Sequence, residues 1–198
     1  SQIISKATTT TMPGINLNEI KEIRIIIPSN KIDLSNLYFS RTKQKMKKQR
    51  VSSTLAKQLA LYIVIYSPLQ MASDFIENYM DVPAFNFIKD VPVNWDTTVV
   101  LNGEIGEFVT IARQEKNSKD WYIGSITNED ERVFYINLDF LNDGKYKATI
   151  YSDNEFSDWH TNPLEYDIKD TFYTNSNTHS IRLAKGGGQA IKLEYISQ

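Results

Sequence analysis

The sequence predicts a mainly β protein, an antiparallel β-sandwich of about eight strands at the C-terminal end preceded by a helical segment. Three observations carry that prediction. From Trp95 onward apolar and polar residues alternate with period two, in runs separated by polar breaks spaced about 8–12 residues apart, the pattern of a sandwich. Residues 51–95, VSSTLAKQLALYIVIYSPLQMASDFIENYMDVPAFNFIKDVPVNW, are instead densely apolar at helical spacing. The first fifty residues share neither pattern. The expected division is therefore 1–50 as an irregular basic arm, 51–92 as the helical segment and 93–198 as the sandwich.

Residues 1–50 contain one strand candidate, Ile20 to Ile27, rich in β-branched residues and ended by Pro28-Ser29-Asn30. A strand without a partner is not a fold. Thr8 to Thr11 form a short low-complexity run, and Met12-Pro13-Gly14 reads as a turn. Charge sets this segment apart: it holds ten Lys/Arg against three Asp/Glu, +7, while residues 51–198 hold twelve against twenty-one, −9, which together give the net −2. Most of the excess lies in Arg41 to Arg50, RTKQKMKKQR. A nucleic-acid patch usually comes with interleaved aromatics or a folded scaffold, and the acidic remainder of the chain repels a polyanion, so the run reads as a solvated linker or mobile loop and no nucleic-acid partner is expected.

A helix should begin at Ser52, Ser53 or Thr54, any of which can accept from the free N–H groups of a first turn. Leu55, Leu59, Tyr62, Ile63 and Tyr66 fall on one face, although LYIVIY alone would equally suit a buried strand. Every residue from Leu59 to Tyr66 is apolar, which calls for packing on several sides. Ser67-Pro68-Leu69-Gln70 has the form of a cap, a first-turn proline and a returning glutamine, so a second helix is expected to run to about Tyr79, burying Met71, Phe75 and Tyr79. Asp81 and Pro83 end it, and a turn of helix at Ala84 to Ile88 follows. Strands are expected at Phe108–Ala112, Trp121–Gly124, Val133–Ile136, Tyr146–Tyr151, Ser180–Leu183 and Ala190–Leu193. Polar breaks lie at Gln114–Asp120, Asn128–Glu131 and Asn142–Gly144, and the long break from Ser152 to Pro163 reads as a surface excursion joining the two sheets.

With 41% hydrophobic residues the chain can bury a core, yet no run approaches the roughly 20 apolar residues that cross a bilayer, so no membrane span is expected. The N-terminus lacks a basic start followed by an apolar run, so no signal peptide is read in it. Zero cysteines exclude disulfides, thiol catalysis and thiolate-bound metal.

No catalytic, cofactor-binding or metal-ligating residue can be assigned. Glu104 and Glu107 flank Gly106 and read as solvated turn residues. Asp158, Trp159 and His160 are the nearest approach to a polar-aromatic site, and read as a loop anchored by a half-buried Trp. His160 and His179 are the only histidines, too few for a metal centre, and both read as loop or surface residues. Gly186-Gly187-Gly188 lies between strands instead of opening a helix, so it reads as a turn or bulge and not a phosphate loop. Trp121 and Tyr122 could stack on a sugar, but strand aromatics more often fill a core.

STLAKQLALYIVIYSPLQMASDFIENY, PAFNFIKDVPVNWDTTVVLNGEIGEFVTIARQ, DWYIGSITNE, DWHTNP and AKGGGQAIKL together resemble the C-terminal part of glycoside hydrolase family 97, in order from about Val51 to Tyr195, roughly three quarters of the chain. The family contains α-glucosidases and α-galactosidases. The resemblance implies an N-terminal β-sandwich, a (β/α)8 catalytic barrel and a smaller C-terminal sandwich of oligomerisation type. It places Ser52–Tyr79 in the last helical layer of the barrel and Val93–Ile196 in that last sandwich, and makes residues 1–50 a barrel remnant if not an arm. The family's catalytic carboxylates and calcium-binding glutamates lie upstream of the matching region, so none is carried over and no cofactor is expected in this chain. Met12-Pro13-Gly14-Ile15 resembles in part the family's Thr-Pro-Gly-Ile-Phe stretch, whereas residues 16–50 depart from the family, which raises a split, truncated or frame-disrupted gene product. A periplasmic or secreted location follows only if the chain behaves as the full-length family does.

Three functions remain open at this point. The chain is a family 97 C-terminal portion with a structural or oligomerisation role, inactive alone, its partners the missing barrel or another copy of itself. It is otherwise a freestanding carbohydrate-binding sandwich, which needs exposed aromatics on one sheet face, or a nonfunctional gene fragment.

Overall fold

The computed structural model describes residues 51–72 and 78–197, together with the backbone of 23–26. The expected basic run Arg41–Arg50, the Thr8–Thr11 run, the Met12-Pro13-Gly14 turn and Phe75 lie outside the described residues. The element order is β1 (Ile23–Ile26), α1 (Leu55–Val64), β2 (Leu69–Ala72), α2 (Phe85–Asp90), then β3 (Trp95–Glu104), β4 (Phe108–Glu115), β5 (Trp121–Thr127), β6 (Arg132–Asn137), β7 (Lys145–Ser152), β8 (Asp167–Tyr173), β9 (Thr178–Leu183) and β10 (Gly188–Ser197).

Strands β3 to β10 match the expected count of about eight, six of them at the positions expected, and are arranged as a six-stranded antiparallel sheet in the order β3-β4-β5-β10-β7-β8 and a two-stranded ribbon, β6-β9. Alternate residues of the large sheet face opposite ways. Trp121, Ile123, Ile150, Ile191 and Leu193 point toward the ribbon, which answers with Phe134, Ile136, Ile181 and Leu183. Tyr122, Tyr151 and Ala190 point the other way, under Leu55, Leu59 and Ile63 of α1 and Phe87 and Ile88 of α2. The result is three layers, helices over sheet over ribbon. Both faces of β5 and of the first half of β10 are covered, so Trp121–Ser125 and Gly188–Ile191 are buried at every position.

Two strands escaped sequence reading. β3 carries exposed polar residues on an edge and shifts register twice against β4, and β8 is a charged, mostly exposed edge strand. The break after β7 is a surface excursion, but it joins β7 to its neighbour β8 in the same sheet and does not pass between sheets.

The largest correction concerns residues 68–79. The expected second helix is replaced at its start by a strand, Leu69–Ala72, paired in parallel with Ile23–Ile26, so the strand candidate in the first fifty residues does have a partner. Ser67 and Gln70 are used differently from a capping box. The Ser67 hydroxyl donates to Leu69 O and accepts from Leu69 N, closing a local turn, and the Gln70 amide donates back to Tyr62 O at the end of α1. The proline that suits a first helical turn suits this turn equally. Met71 is correspondingly half exposed instead of buried, whereas Tyr79 is buried and stacks on Phe85.

Candidate functional site

The junction between α1 and the large sheet is the best-defined polar and steric feature of the chain. At the helix N-terminus Thr54 is the residue that caps, its hydroxyl accepting from Lys57 N at 3.2 Å. Thr54 N and Leu55 N donate to Gly186 O and Pro163 O, which ties the first turn to the β9–β10 turn and to the loop before β8. At the other end four carbonyls would be left without helical partners. Leu61 O accepts from Ile65 N, Tyr62 O from the Gln70 amide, Ile63 O from Arg113 Nε at 2.6 Å and Val64 O from Arg113 Nη2 at 3.4 Å. Arg113 is buried on β4, donates also to Thr98 Oγ1 on β3, and lies 5.6 Å from the Tyr66 ring centroid.

Between these ends the helix lies directly on the strands, because β5 and β10 present glycine there. A Cβ on Gly124 would stand 2.7 Å from Ala60 O, and one on Gly188 only 2.4 Å from Lys57 Cα. The apolar run Leu59–Tyr66 is therefore not buried all round. Leu59, Ala60 and Ile63 are inside, while Ile65 is 57% exposed and Tyr66 61% exposed, contrary to its expected place on the buried face. Leu69 and Met71 of β2 continue this exposed apolar strip, and Val100 on β3, two residues along from Thr98 and hence on the same sheet face, is exposed as well.

At the N-terminal end of α1 a shallow groove of about 470 Å³ is lined by Lys57, Glu104, Glu107, Phe108, Thr127 and Asn128 among others. Lys57 Nζ donates to Thr127 O at 2.6 Å. Burial lowers its pKa, opposed by the charges of Glu129 and Asp153.

A family model described as "Glycosyl-hydrolase 97 C-terminal, oligomerisation" matches residues 94–194, from the residue before β3 into β10. The chain belongs to glycoside hydrolase family 97. It corresponds to the C-terminal part of the family's proteins. It is 34% identical over 142 residues to a retaining alpha-galactosidase of Bacteroides thetaiotaomicron, a match covering 71% of this chain and 21% of that protein. A family 97 enzyme of Pseudoalteromonas sp. strain K8, solved with acarbose, superposes with a TM-score of 0.73 at 42% identity over 75% of this chain and 23% of that one. A beta-arabinopyranosidase, at 21% identity and a TM-score of 0.59, shares the fold. The chain thus spans about a fifth of the length of the relatives it matches.

In this family 97 domain the residues singled out from sequence do not converge. Glu104 and Glu107 do flank the β3–β4 hairpin turn, with Gly106 at φ 82°, but Glu107 is not simply solvated, since Arg132 Nη2 donates to its carboxylate at 2.6 Å. Asp158 Oδ1 accepts from His160 N, Thr161 N and Thr161 Oγ1, so hydrogen bonds from its own loop hold its carboxyl below the usual range. Trp159 is half buried against Gly186, and His160 is exposed. The glycine run does form the β9–β10 turn, with Gly186 at φ 59°. Trp121 and Tyr122 lie in the two cores, which removes them as a sugar platform.

His179 is the clear correction among candidate residues. It is no surface residue: it points inward from β9, its Nδ1 2.7 Å from Tyr173 Oη and its Nε2 2.8 Å from Gln189 Oε1. An acceptor at Nε2 places the proton there and leaves Nδ1 to accept from the tyrosine, the neutral tautomer. Burial pushes its pKa down. The inward phase of Thr178–Leu183 was available in the sequence, since His179 alternates in register with Ile181 and Leu183.

Asp153, which sequence reading passed over, is a further buried titratable group. Its Oδ2 accepts from Ala184 N at 3.0 Å and Gly188 N at 2.8 Å, fixing the β9–β10 turn under the N-terminus of α1, and burial raises its pKa against those hydrogen bonds. Nothing in a lone Asp between two strands signals this in sequence.

Proposed function

We propose that this chain is the portion of a family 97 glycosidase that joins the end of the catalytic barrel to its oligomerisation sandwich, supplying structure and contact with other chains and no hydrolytic group. The single observation that carries the reading is the β1–α1–β2 unit, two parallel strands connected through a helix. That unit is the repeat from which a (β/α)8 barrel is built. Here the inner face of α1 rests on the sandwich while Ile65, Tyr66, Leu69 and Met71 stay exposed, as they would if more barrel surface packed over them. The division near residue 92 then separates a barrel end from a sandwich at residues 93–198.

An α-galactoside, after the name of the Bacteroides thetaiotaomicron relative, or an α-glucoside, as the family resemblance implies, is the proposed substrate class of the whole protein. Calcium, implied by the family resemblance, does not fit the described residues: among them no three His, Asp or Glu side chains gather to hold a metal ion. Among the described residues, too, no helix is long and apolar enough to cross a membrane.

The test is co-expression with the retaining alpha-galactosidase shortened by its own matching C-terminal region. The two pieces should copurify, and Tyr66→Glu should separate them while leaving this chain folded. Failure to copurify, or copurification indifferent to Tyr66→Glu, would exclude the proposed contact. Steady release of nitrophenol from an aryl α-galactoside or α-glucoside by this chain alone would exclude the structural role.

A further inference from the structure

We propose that the outer face of the β6–β9 ribbon binds a neutral pyranose ring, with Tyr135 as the stacking platform. The inward residues of the ribbon, Phe134, Ile136, Ile181 and Leu183, fill the core, so Val133, Tyr135 and Asn137 of β6 and Thr178, Ser180 and Arg182 of β9 point outward. The register sets Tyr135 directly opposite Ser180, Val133 opposite Arg182 and Asn137 opposite Thr178. Tyr135 is 71% exposed, an unusual position for a large aromatic on a regular strand.

The neighbours of Tyr135 are those a sugar needs. A pyranose presents C–H groups on its faces, which stack on an aromatic ring, and hydroxyls around its rim, which need donors and acceptors beside that ring. Ser180 supplies a hydroxyl. Thr178 Oγ1 donates to Asn137 Oδ1 at 3.2 Å, which fixes that amide and leaves its nitrogen as a donor. Arg182 Nη1 donates to Asn154 O at 2.8 Å, which holds the guanidinium in place with further N–H groups to offer. None of the six outward residues is acidic, which disfavours a cationic ligand.

Size argues against a protein occupant. Each strand of the ribbon has six residues. At about 3.4 Å per residue and about 4.8 Å between strands the face is roughly 20 Å by 10 Å, about 200 Å². A stable protein interface takes about 800 Å² from each partner. The face fits one or two sugar rings and falls well short of a second subunit.

The test is titration of the full chain with methyl α-D-glucopyranoside and methyl α-D-galactopyranoside, followed by backbone amide shifts. Saturable shifts at Asn137, Tyr135 and Ser180 are expected, with a Kd on the order of 1 mM. Tyr135→Thr keeps a strand-forming residue and should weaken binding by about tenfold or more, while Tyr135→Trp should preserve it. Absence of saturable shifts with both sugars would overturn the proposal, as would shifts unaffected by Tyr135→Thr. A sedimentation change in Tyr135→Thr from dimer to monomer would overturn it as well, by showing that a second copy covers this face.

Discussion

The Nε of Arg113 donates a 2.6 Å hydrogen bond to the carbonyl oxygen of Ile63, so a cation from the sandwich terminates the helix that precedes it. Arg113 is positioned by β4 and Ile63 by α1, and the contact fixes their relative placement. A positive charge at a helix C-terminus also favours the helix dipole.

Arg113→Met keeps much of the aliphatic stem and removes the donors. The carbonyls of Ile63 and Val64 then lose their partners, and hydrogen bonds to a charged group are worth about 1.5–3 kcal/mol each. Because the second bond is long, a total loss of about 3 kcal/mol is expected, read as a lower urea midpoint. Arg113→Lys should recover only part of it, since an ammonium cannot reproduce the fork. An unchanged midpoint in Arg113→Met would show that the bond contributes nothing net.

Gly124→Ala tests how closely α1 lies on the sheet. The new methyl would meet Ala60 O at 2.7 Å and Ile63 Cβ at 3.0 Å, and a backbone carbonyl cannot step aside as a side chain can. Overpacking of this kind costs about 1–3 kcal/mol. The expected outcome is a lower thermal midpoint with faster amide exchange in α1 than in β7, and uniform exchange would count against a displaced helix.

His179 gives a pH dependence with a definite sign. Burial, together with the charge of Lys169, lowers its pKa in the folded state, outweighing the hydrogen bond it donates to Gln189, which favours the charged ring. The unfolded chain therefore binds more protons below about pH 6.5, so stability is full above that value and falls as pH drops through the folded pKa. Urea midpoints of the wild type minus those of His179→Gln should decline as pH is lowered from 7 toward 5. A difference independent of pH would mean that the imidazole is not held neutral.

Asp153 has the opposite sign. Burial raises its pKa above the usual 3.8 despite donors from Thr54, Ala184, Gly188 and the charge of Arg182. Above 3.8 the folded protein binds more protons than the unfolded chain, so this group's contribution falls as pH rises through the folded pKa. Asp153→Asn keeps an acceptor for Ala184 N and Gly188 N without a buried charge. Its stability relative to the wild type should be higher at pH 7 than at pH 4, as read from urea midpoints at the two values. A constant difference would refute the assigned burial of charge.

How legible the molecule was depended on how local each signal is. The Thr54 cap, the α1 face through Leu55, Leu59 and Ile63, the short α2 and the inner strands are set by side chains a few residues apart, and they emerged with boundaries close to those expected. Ser67-Pro68-Leu69-Gln70 was misread because a serine that caps a helix and one that closes a turn have the same neighbours. His179 was misread because its hydrogen-bonding partners Tyr173 and Gln189 come from other strands. Tyr135 was unremarked because an inward and an outward tyrosine look alike until the sheet is folded.

The sequence by itself determined the family, the sandwich of eight strands and the helix before it, since alternation, capping and ordered motif matches are properties of neighbouring residues. Only the tertiary structure decided which carbonyls Arg113 satisfies, that Asp153 is buried, which groups bond to His179, and which aromatic face remains open. Those outcomes depend on groups far apart in the chain being brought within a few ångströms of one another, where burial and hydrogen bonding first acquire their strength.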